Sequence, residues 1–223
     1  YTGDISALEG YRQGHFTVQD VGSQLAISVL DPQPGQRAID MCSAPGGKSV
    51  LMGQYMKNQG EILAFDLHPH KVEIIEKNAA RMGLAILKAQ AADMTIRRPE
   101  LVGTAQKVLC DVPCSGLGII AKKPDIRFKA QEDALTLPAI QLQLLKNALD
   151  YAAPGGQVVY STCTLNQEEN EKVVQQAIQE HGHCRLEPFA HPYGDIKSEG
   201  MLTLLPHIYH SDGFFICNIR RTD

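Results

Sequence analysis

Arg37-Ala-Ile-Asp-Met-Cys-Ser-Ala-Pro-Gly-Gly-Lys48 is the stretch on which the reading of the fold turns. A short apolar run (Arg37–Met41) ends beside an acidic residue, a loop of small residues follows, and Gly46-Gly47 leads into a helical pattern over 48–57. Paired glycines between a strand and a helix let the backbone turn tightly and approach a ligand closely. The alternation continues outward. Upstream, 19–30 is helix-like. Downstream, 61–65 reads as a strand, 71–82 as a helix, 85–88 as a weak strand and 107–111 as a stronger one. Apolar spacing at Leu135, Ile140, Leu144, Leu145 and Leu149 predicts another helix. Pro154-Gly155-Gly156 reads as a turn into a β-branched and aromatic strand over 157–161. Residues 166–180 read as a helix capped by Asn166, with Glu168 and Glu169 in its first turn, and 213–220 as a last strand. Such alternation predicts an α/β fold with a mostly parallel sheet covered on both faces.

In sheets of this kind sites form beyond the carboxyl ends of strands, near the point where strand order reverses. The residues after the apolar runs are Asp40 to Lys48, Asp66, Asp93, Asp111-Val-Pro-Cys114 and Ser161-Thr-Cys163-Thr164, all where a site is expected. Asp66 follows the glycine loop by roughly 20 residues, the spacing at which a carboxylate meets ribose hydroxyls. Asp93 is placed to face an adenine amino group or its surrounding loop. The loop lacks G-x-G-x-x-G. It also lacks the full phosphate loop, although Gly47-Lys48-Ser49 imitates its tail, because the earlier glycine would fall at Met41 or Cys42. A nucleoside cofactor without a pyrophosphate needs fewer backbone donors and suits this shorter loop.

The chain's 223 residues allow one sizeable core with a modest appendage. Residues 37–223 read as that core and 1–36 as the remnant of a preceding segment packed on it. Hydrophobic residues at 43% and charged residues at 21% are ordinary for a globular domain, which excludes disorder and fibrous classes. No apolar run is long enough for a membrane span. The start, Tyr1-Thr-Gly-Asp4, lacks Met and any signal pattern, and the chain is read as a piece of a longer protein. A net charge of −4 excludes a generic polycation. Nucleic-acid binding would then rest on local patches: Arg97-Arg98, the Lys122/Lys123/Arg127/Lys129 stretch, or Arg220-Arg221.

The six cysteines form no CxxC pair, so neither zinc nor any other metal is expected, and reduced cytoplasmic thiols are the simplest reading. Cys110 and Cys217 lie inside apolar strands as core residues, and Cys184 carries no signal. Cys114 and Cys163 each follow a strand among Pro, Ser, Thr and Gly, at what would be one edge of the sheet. Spacing alone does not rank them.

Asp40 to Ser49, Asp111-Val-Pro-Cys-Ser-Gly116 and Tyr160-Ser-Thr-Cys-Thr164 resemble the motifs of the Sun-type RNA (cytosine-5) methyltransferases. So do Phe16-Thr-Val-Gln-Asp20 with Ser23-Gln24, and Asp212-Gly-Phe-Phe215. The likeness covers nearly the whole chain in the family's order. It implies a Rossmann-like methyltransferase with a seven-stranded sheet, S-adenosylmethionine as cofactor and small-subunit ribosomal RNA as first-choice substrate, the alternatives being a transfer RNA cytosine-5 methyltransferase or an RNA-binding module without turnover. By this resemblance Cys42, Ser43, Ala44, Pro45, Gly46, Gly47 and Lys48 would hold the cofactor, with Asp66, Asp93 and Asp111. Cys163 would be the nucleophile and Cys114 would help release product. The basic residues after Cys114, with Pro124-Asp125, would line the RNA side. Val112 stands where the family commonly has Ala, and Thr164 where Ser is frequent. Members close to it carry an amino-terminal RNA-binding domain, which is expected to be missing here, and a monomer is expected.

The chemistry explains the thiol. Carbon 5 of cytosine is too electron-poor to attack a sulfonium methyl directly. Adding sulfur to carbon 6 makes carbon 5 enamine-like, and sulfur both adds and leaves readily. Asp111, as an acid beside the ring nitrogen, would stabilise the charge that develops, and a base must later remove the proton from carbon 5.

Overall fold

β1 (Arg37–Asp40) occupies the middle of the sheet because both its faces are apolar: Ile39 packs on one side and Ala38 on the other, each fully buried. The computed structural model describes residues 3–128, 131–190 and 197–223, with 131–134 as helix backbone alone. Before β1 lie α1 (Glu9–Arg12) and α2 (Val21–Leu30), whose N-terminus is capped by the Asp20 carboxylate accepting from the N–H of Gly22. After β1 come α3 (Gly47–Tyr55), β2 (Glu61–Asp66), α4 (Pro69–Arg81), β3 (Leu87–Ala91) and β4 (Ala105–Asp111). The second half holds α5 (Gln131–Tyr151), β5 (Ala152–Thr162), α6 (Glu171–His181), β6 (Cys184–Leu186), β7 (Phe189–Ala190), β8 (Lys197–Ser198), β9 (Met201–Leu204), α7 (Pro206–Tyr209) and β10 (Phe214–Arg221).

The strand order is β3-β2-β1-β4-β5-β10-β6. The first five strands are parallel and β10 runs antiparallel to β5. Seven strands in line agree with the expected count, and β9 adds an eighth. β9 pairs with 214–217 of β10 and β6 with 219–221, so the two share one edge in succession. Period-two burial sorts the strands onto two cores. Val108, Cys110, Val158, Tyr160, Phe215 and Cys217 face α5 and α6, while Leu109, Val159 and Ile216 join Leu25, Ile27 and Leu30 of α2. α2 is thus part of the covering layer. Two of its terminal carbonyls are capped from the sheet: Lys107 Nζ donates to Leu30 O at 2.6 Å and Gln157 Nε2 to Val29 O at 2.8 Å.

Some boundaries differ from the expected ones. β3 lies later than the run 85–88 suggested, and it is a half-exposed edge strand with little apolar signal. Pro154-Gly155-Gly156 lies within β5: pairing moves from Ala105–Ala152 to Lys107–Gln157, an irregularity that takes up the extra residues with Gly155 at φ +71°. In α5 the buried stripe is Gln141, Leu144, Leu145, Ala148 and Leu149, whereas Leu135 and Ile140 face outward. α6 begins at Glu171 instead of 166, because Asn166 and Glu169 make side-chain bonds that fold 166–170 into turns.

Candidate active site

The sheet reverses order between β1 and β4, and these strands end in Asp40 and Asp111. In the loop after β1, Gly46 adopts φ +100°, where a side chain would be strained and would press on Ile75. The chain is held there by Ser43 N–H to Phe65 O at 2.7 Å and Asn78 Nδ2 to Pro45 O at 2.8 Å. The Asp66 carboxylate accepts from the N–H of His68 at 3.1 Å and of Ala44 at 3.3 Å, with Lys71 Nζ at 3.9 Å. These residues border a cleft of about 310 Å³ whose walls include Cys42, Ala44, Asp66, Lys71, Asp111 and Pro113. A second cleft of about 220 Å³ shares Cys42, Ala44 and Asp111 and adds Ser43, Pro45, Gly47 and Lys48. Asp93 stands apart: its carboxylate accepts from the N–H and hydroxyl of Thr95 and lines neither cleft.

Asp40 is buried, and burial lifts its carboxyl to about 6, partly offset by the Ser49 hydroxyl donating to it at 2.6 Å. Lys48 Nζ donates to Asp111 Oδ2 at 2.7 Å, and Ser161 Oγ donates to Oδ1 at 2.7 Å. Burial alone would lower the Lys48 pKa. The charge and hydrogen bond of Asp111, with Asp40 behind it, outweigh burial and raise it, so the ammonium stays charged. Its Nζ also sits 5.6 Å from the ring centroid of Phe214.

All six cysteines are free. Cys114 and Cys163, half-buried at the ends of β4 and β5, bring their sulfurs to 3.0 Å, and Cys163 N–H donates to Cys114 Sγ at 3.3 Å. The hydrogen bond from the Cys114 thiol lowers the Cys163 pKa, and Lys48 helps, against burial and the charge of Asp111. The same hydrogen bond and burial push Cys114 up. Cys42, Cys110 and Cys217 are raised by burial, and Cys184 likewise to about 11. Cys163 alone is shifted toward thiolate, a ranking that spacing could not supply.

A family described as 16S rRNA methyltransferase RsmB/F matches residues 27–220. The chain belongs to the RsmB/F family. It is 40% identical to a probable ribosomal RNA small subunit methyltransferase B of Synechocystis, over 99% of this chain and 51% of that protein. The corresponding Bacillus subtilis protein is 37% identical over 98% of this chain and 51% of its own length. A human 28S rRNA (cytosine(4447)-C(5))-methyltransferase is 35% identical over 97% of this chain and 29% of that protein. This RsmB/F chain therefore spans about half the length of its bacterial relatives, or less for the human one. Its fold matches NSun6 from Pyrococcus horikoshii, solved with SFG, at TM-score 0.85, with 29% identity over 99% of this chain and 57% of that one.

Within this RsmB/F chain several expectations sort themselves by geometry. Lys48 is paired with Asp111, and Ser49 is fully buried on Asp40 and Ser43, so Gly47-Lys48-Ser49 lacks the free Lys and Ser that a phosphate loop needs. Lys122 bridges Asp20 and Asp212, pinning the segment before α2 to the loop before β10. Lys123 and Arg127 are exposed beyond Cys114, and Lys129 lies outside the described residues. Arg97 and Arg221 are paired with Asp150 and Asp223 near the start of β5, the sheet edge opposite the cysteines. Among the described residues no cluster of three or more His, Cys, Asp or Glu is arranged to hold a metal, and no helix is long and apolar enough to cross a membrane.

The sequence reading missed the buried polar support. Glu169 is fully buried and accepts from Ser115 N–H at 2.9 Å, Gln141 Nε2 at 3.0 Å and Asn166 Nδ2 at 3.1 Å. Gln141 at a core position of an otherwise apolar helical stripe was the available signal. Gly118 was also missed. Its N–H donates to Cys163 O at 2.9 Å, and any Cβ would lie 2.0 Å from Gly213 O, so only glycine fits between these loops.

Proposed function

We propose that this chain methylates carbon 5 of a cytidine in small-subunit ribosomal RNA, with Cys163 as the covalent nucleophile. The observation that carries the reading is the Cys163 sulfur held 3.0 Å from a second thiol that lowers its pKa. The family and the relatives named above support the ribosomal substrate. Their greater length supports further RNA-binding segments acting with this chain. Work on ribosomal RNA would place the protein in the cytoplasm.

The cleft beside Asp66 suits a nucleoside cofactor. A carboxylate stands at the end of β2, Val112 and Pro113 offer an apolar wall, and Gly46-Gly47 let the backbone come close. S-adenosylmethionine bound there would supply the methyl group. Cys42 to Lys48 with Asp66 would hold it, and Asp93 would take part after turning from Thr95. The target base has to leave its stack, because sulfur approaches carbon 6 from above the ring. Cys163 sulfur bonds to carbon 6 while the ring nitrogen takes a proton. Asp111, which Lys48 Nζ meets at 2.7 Å, would stand between that nitrogen and the ammonium and pass the proton on, its carboxyl reprotonated from Lys48. After methylation, a base abstracts the carbon 5 proton, the carbon–sulfur electrons return to Cys163, and the ring-nitrogen proton goes back through Asp111 to Lys48. Cys114, adjacent to the departing sulfur, assists that release. Lys123 and Arg127 would meet phosphates beside the extruded base.

The test is methyl transfer to an unmodified small-subunit rRNA transcript, read by mapping 5-methylcytosine. One cytidine modified by the natural protein and none by Cys163→Ala supports the reading. No 5-methylcytosine, or equal modification by both proteins, sinks it.

A further inference from the structure

Glu169 and Asn170 are adjacent in the chain, are both buried, and each grips a different cysteine loop. On one side, Glu169 Oε2 accepts from the N–H of Ser115, the residue after Cys114. The same oxygen accepts from Gln141 Nε2, which also donates to the carbonyl of Pro113, the residue before Cys114. Both peptide groups flanking Cys114 are thus tied to one carboxylate–amide pair. On the other side, Asn170 Oδ1 accepts from the hydroxyl of Thr162 at 2.6 Å, and its Nδ2 donates to Thr164 O at 3.0 Å. Those two residues flank Cys163. The turn carrying the pair is anchored by Tyr160 Oη, which donates to Glu169 O at 2.6 Å. Ser115 Oγ and Thr164 Oγ1, 2.8 Å apart, close the arrangement between the loops.

Among the described residues no cation is ion-paired to Glu169. Its bonded partners are a backbone N–H and two amides, and it is fully buried. A buried carboxylate without a counter-ion is costly where stability is the only gain, and an apolar residue would fill the space at less expense. What it supplies is an acceptor for Ser115 N–H directly and for Gln141, which holds Pro113 O, while Asn166 Nδ2 steadies the carboxylate from within its own turn.

We infer that Glu169 is a positioning residue for the two-thiol site, holding Cys114 against Cys163 through Ser115 and Gln141 while Asn170 holds Cys163. The inference rests on the cysteine chemistry proposed above. Removing the acceptor frees the Cys114 loop but leaves Cys163 on its strand and Asn170. The consequence is selective: attack by Cys163 continues, release of the adduct slows, and the hydrogen bond from Cys114 to Cys163 is lost.

The experiment compares Glu169→Leu and Glu169→Gln with the natural chain. Glutamine keeps an oxygen for Ser115 and Gln141 and should restore most of the behaviour. Leucine should lengthen the lifetime of the covalent adduct with a small-subunit rRNA transcript roughly tenfold, the size expected when a buried hydrogen-bonded partner is removed. It should also move the pH profile of Cys163 alkylation by iodoacetamide upward, with S-adenosylmethionine affinity within about twofold, as expected for a site not in contact. Unchanged adduct lifetime and alkylation profile overturn the inference, as does parallel loss of cofactor binding and folding in both variants. If leucine alone does not fold, Gln141→Leu removes the Pro113 tether and is read by the same criteria. The alkylation profile needs no RNA. If the natural chain forms no adduct and no 5-methylcytosine, the functional reading fails, while the clamp still stands or falls on alkylation.

Discussion

Cys163 Sγ lies 3.0 Å from Cys114 Sγ, and the Cys163 N–H points at that same second sulfur from 3.3 Å. The pair is asymmetric. Their contact lowers the Cys163 pKa and raises that of Cys114, and the proposed division of labour rests on that direction.

Removing the donor should reverse the shift. In Cys114→Ala, the Cys163 pKa rises, so less thiolate is present at neutral pH. Methyl transfer still takes place, but the adduct persists. A slow-migrating RNA–protein species on a denaturing gel is the expected result, and its absence counts against the release role.

Cys163→Ala should abolish methylation with S-adenosylmethionine affinity changed by no more than a few-fold, because the thiol lines neither cleft. Isothermal calorimetry and 5-methylcytosine mapping check the two halves separately. Normal turnover would remove this residue as nucleophile.

Lys48 and Asp111 act as a unit. Lys48→Met leaves Asp111 without its charged donor and should lower kcat by roughly 10²- to 10⁴-fold, the range for losing a general acid–base contribution. Asp111→Asn should fall in the same range, and the double variant should lose little more than either single one. Strict additivity of the two losses would separate their roles.

Asp40 makes a prediction about pH. Its folded carboxyl is raised to about 6 from an ordinary 3.8. Between those values the folded chain keeps a proton that the unfolded chain has lost, so stability falls as pH rises through the window. Asp40→Asn lacks this dependence. Its stability relative to the natural chain should improve by about 2 kcal/mol between pH values of about 4 and 7, by denaturant unfolding. A constant difference across that range would show that Asp40 titrates normally.

Much of this molecule can be read in one dimension. Strand ends marked by Asp40, Asp66, Asp111 and Cys163 follow from short apolar runs with acidic or small residues after them, since parallel strands are buried on both faces and their exits are not. The order and most of the borders of the helices follow from periodicity. The misreadings are informative. Residues 166–170 look helical by composition, but Asn166 and Glu169 bond to each other and to other loops, and side chains of this kind compete with the helix for backbone donors. Pro154-Gly155-Gly156 looks like a turn because those residues usually make one, yet in β5 they absorb a register shift.

By itself the sequence determined an α/β sheet with its reactive residues along one edge, because burial pattern and turn chemistry are local properties. Only the tertiary structure brought the sulfurs of Cys114 and Cys163 to 3.0 Å, paired Lys48 with Asp111, and buried Glu169 against the N–H of Ser115. Those outcomes depend on distances between residues far apart in the chain, and hydrogen bonds and charges act over a few ångströms of space whatever the number of residues between them.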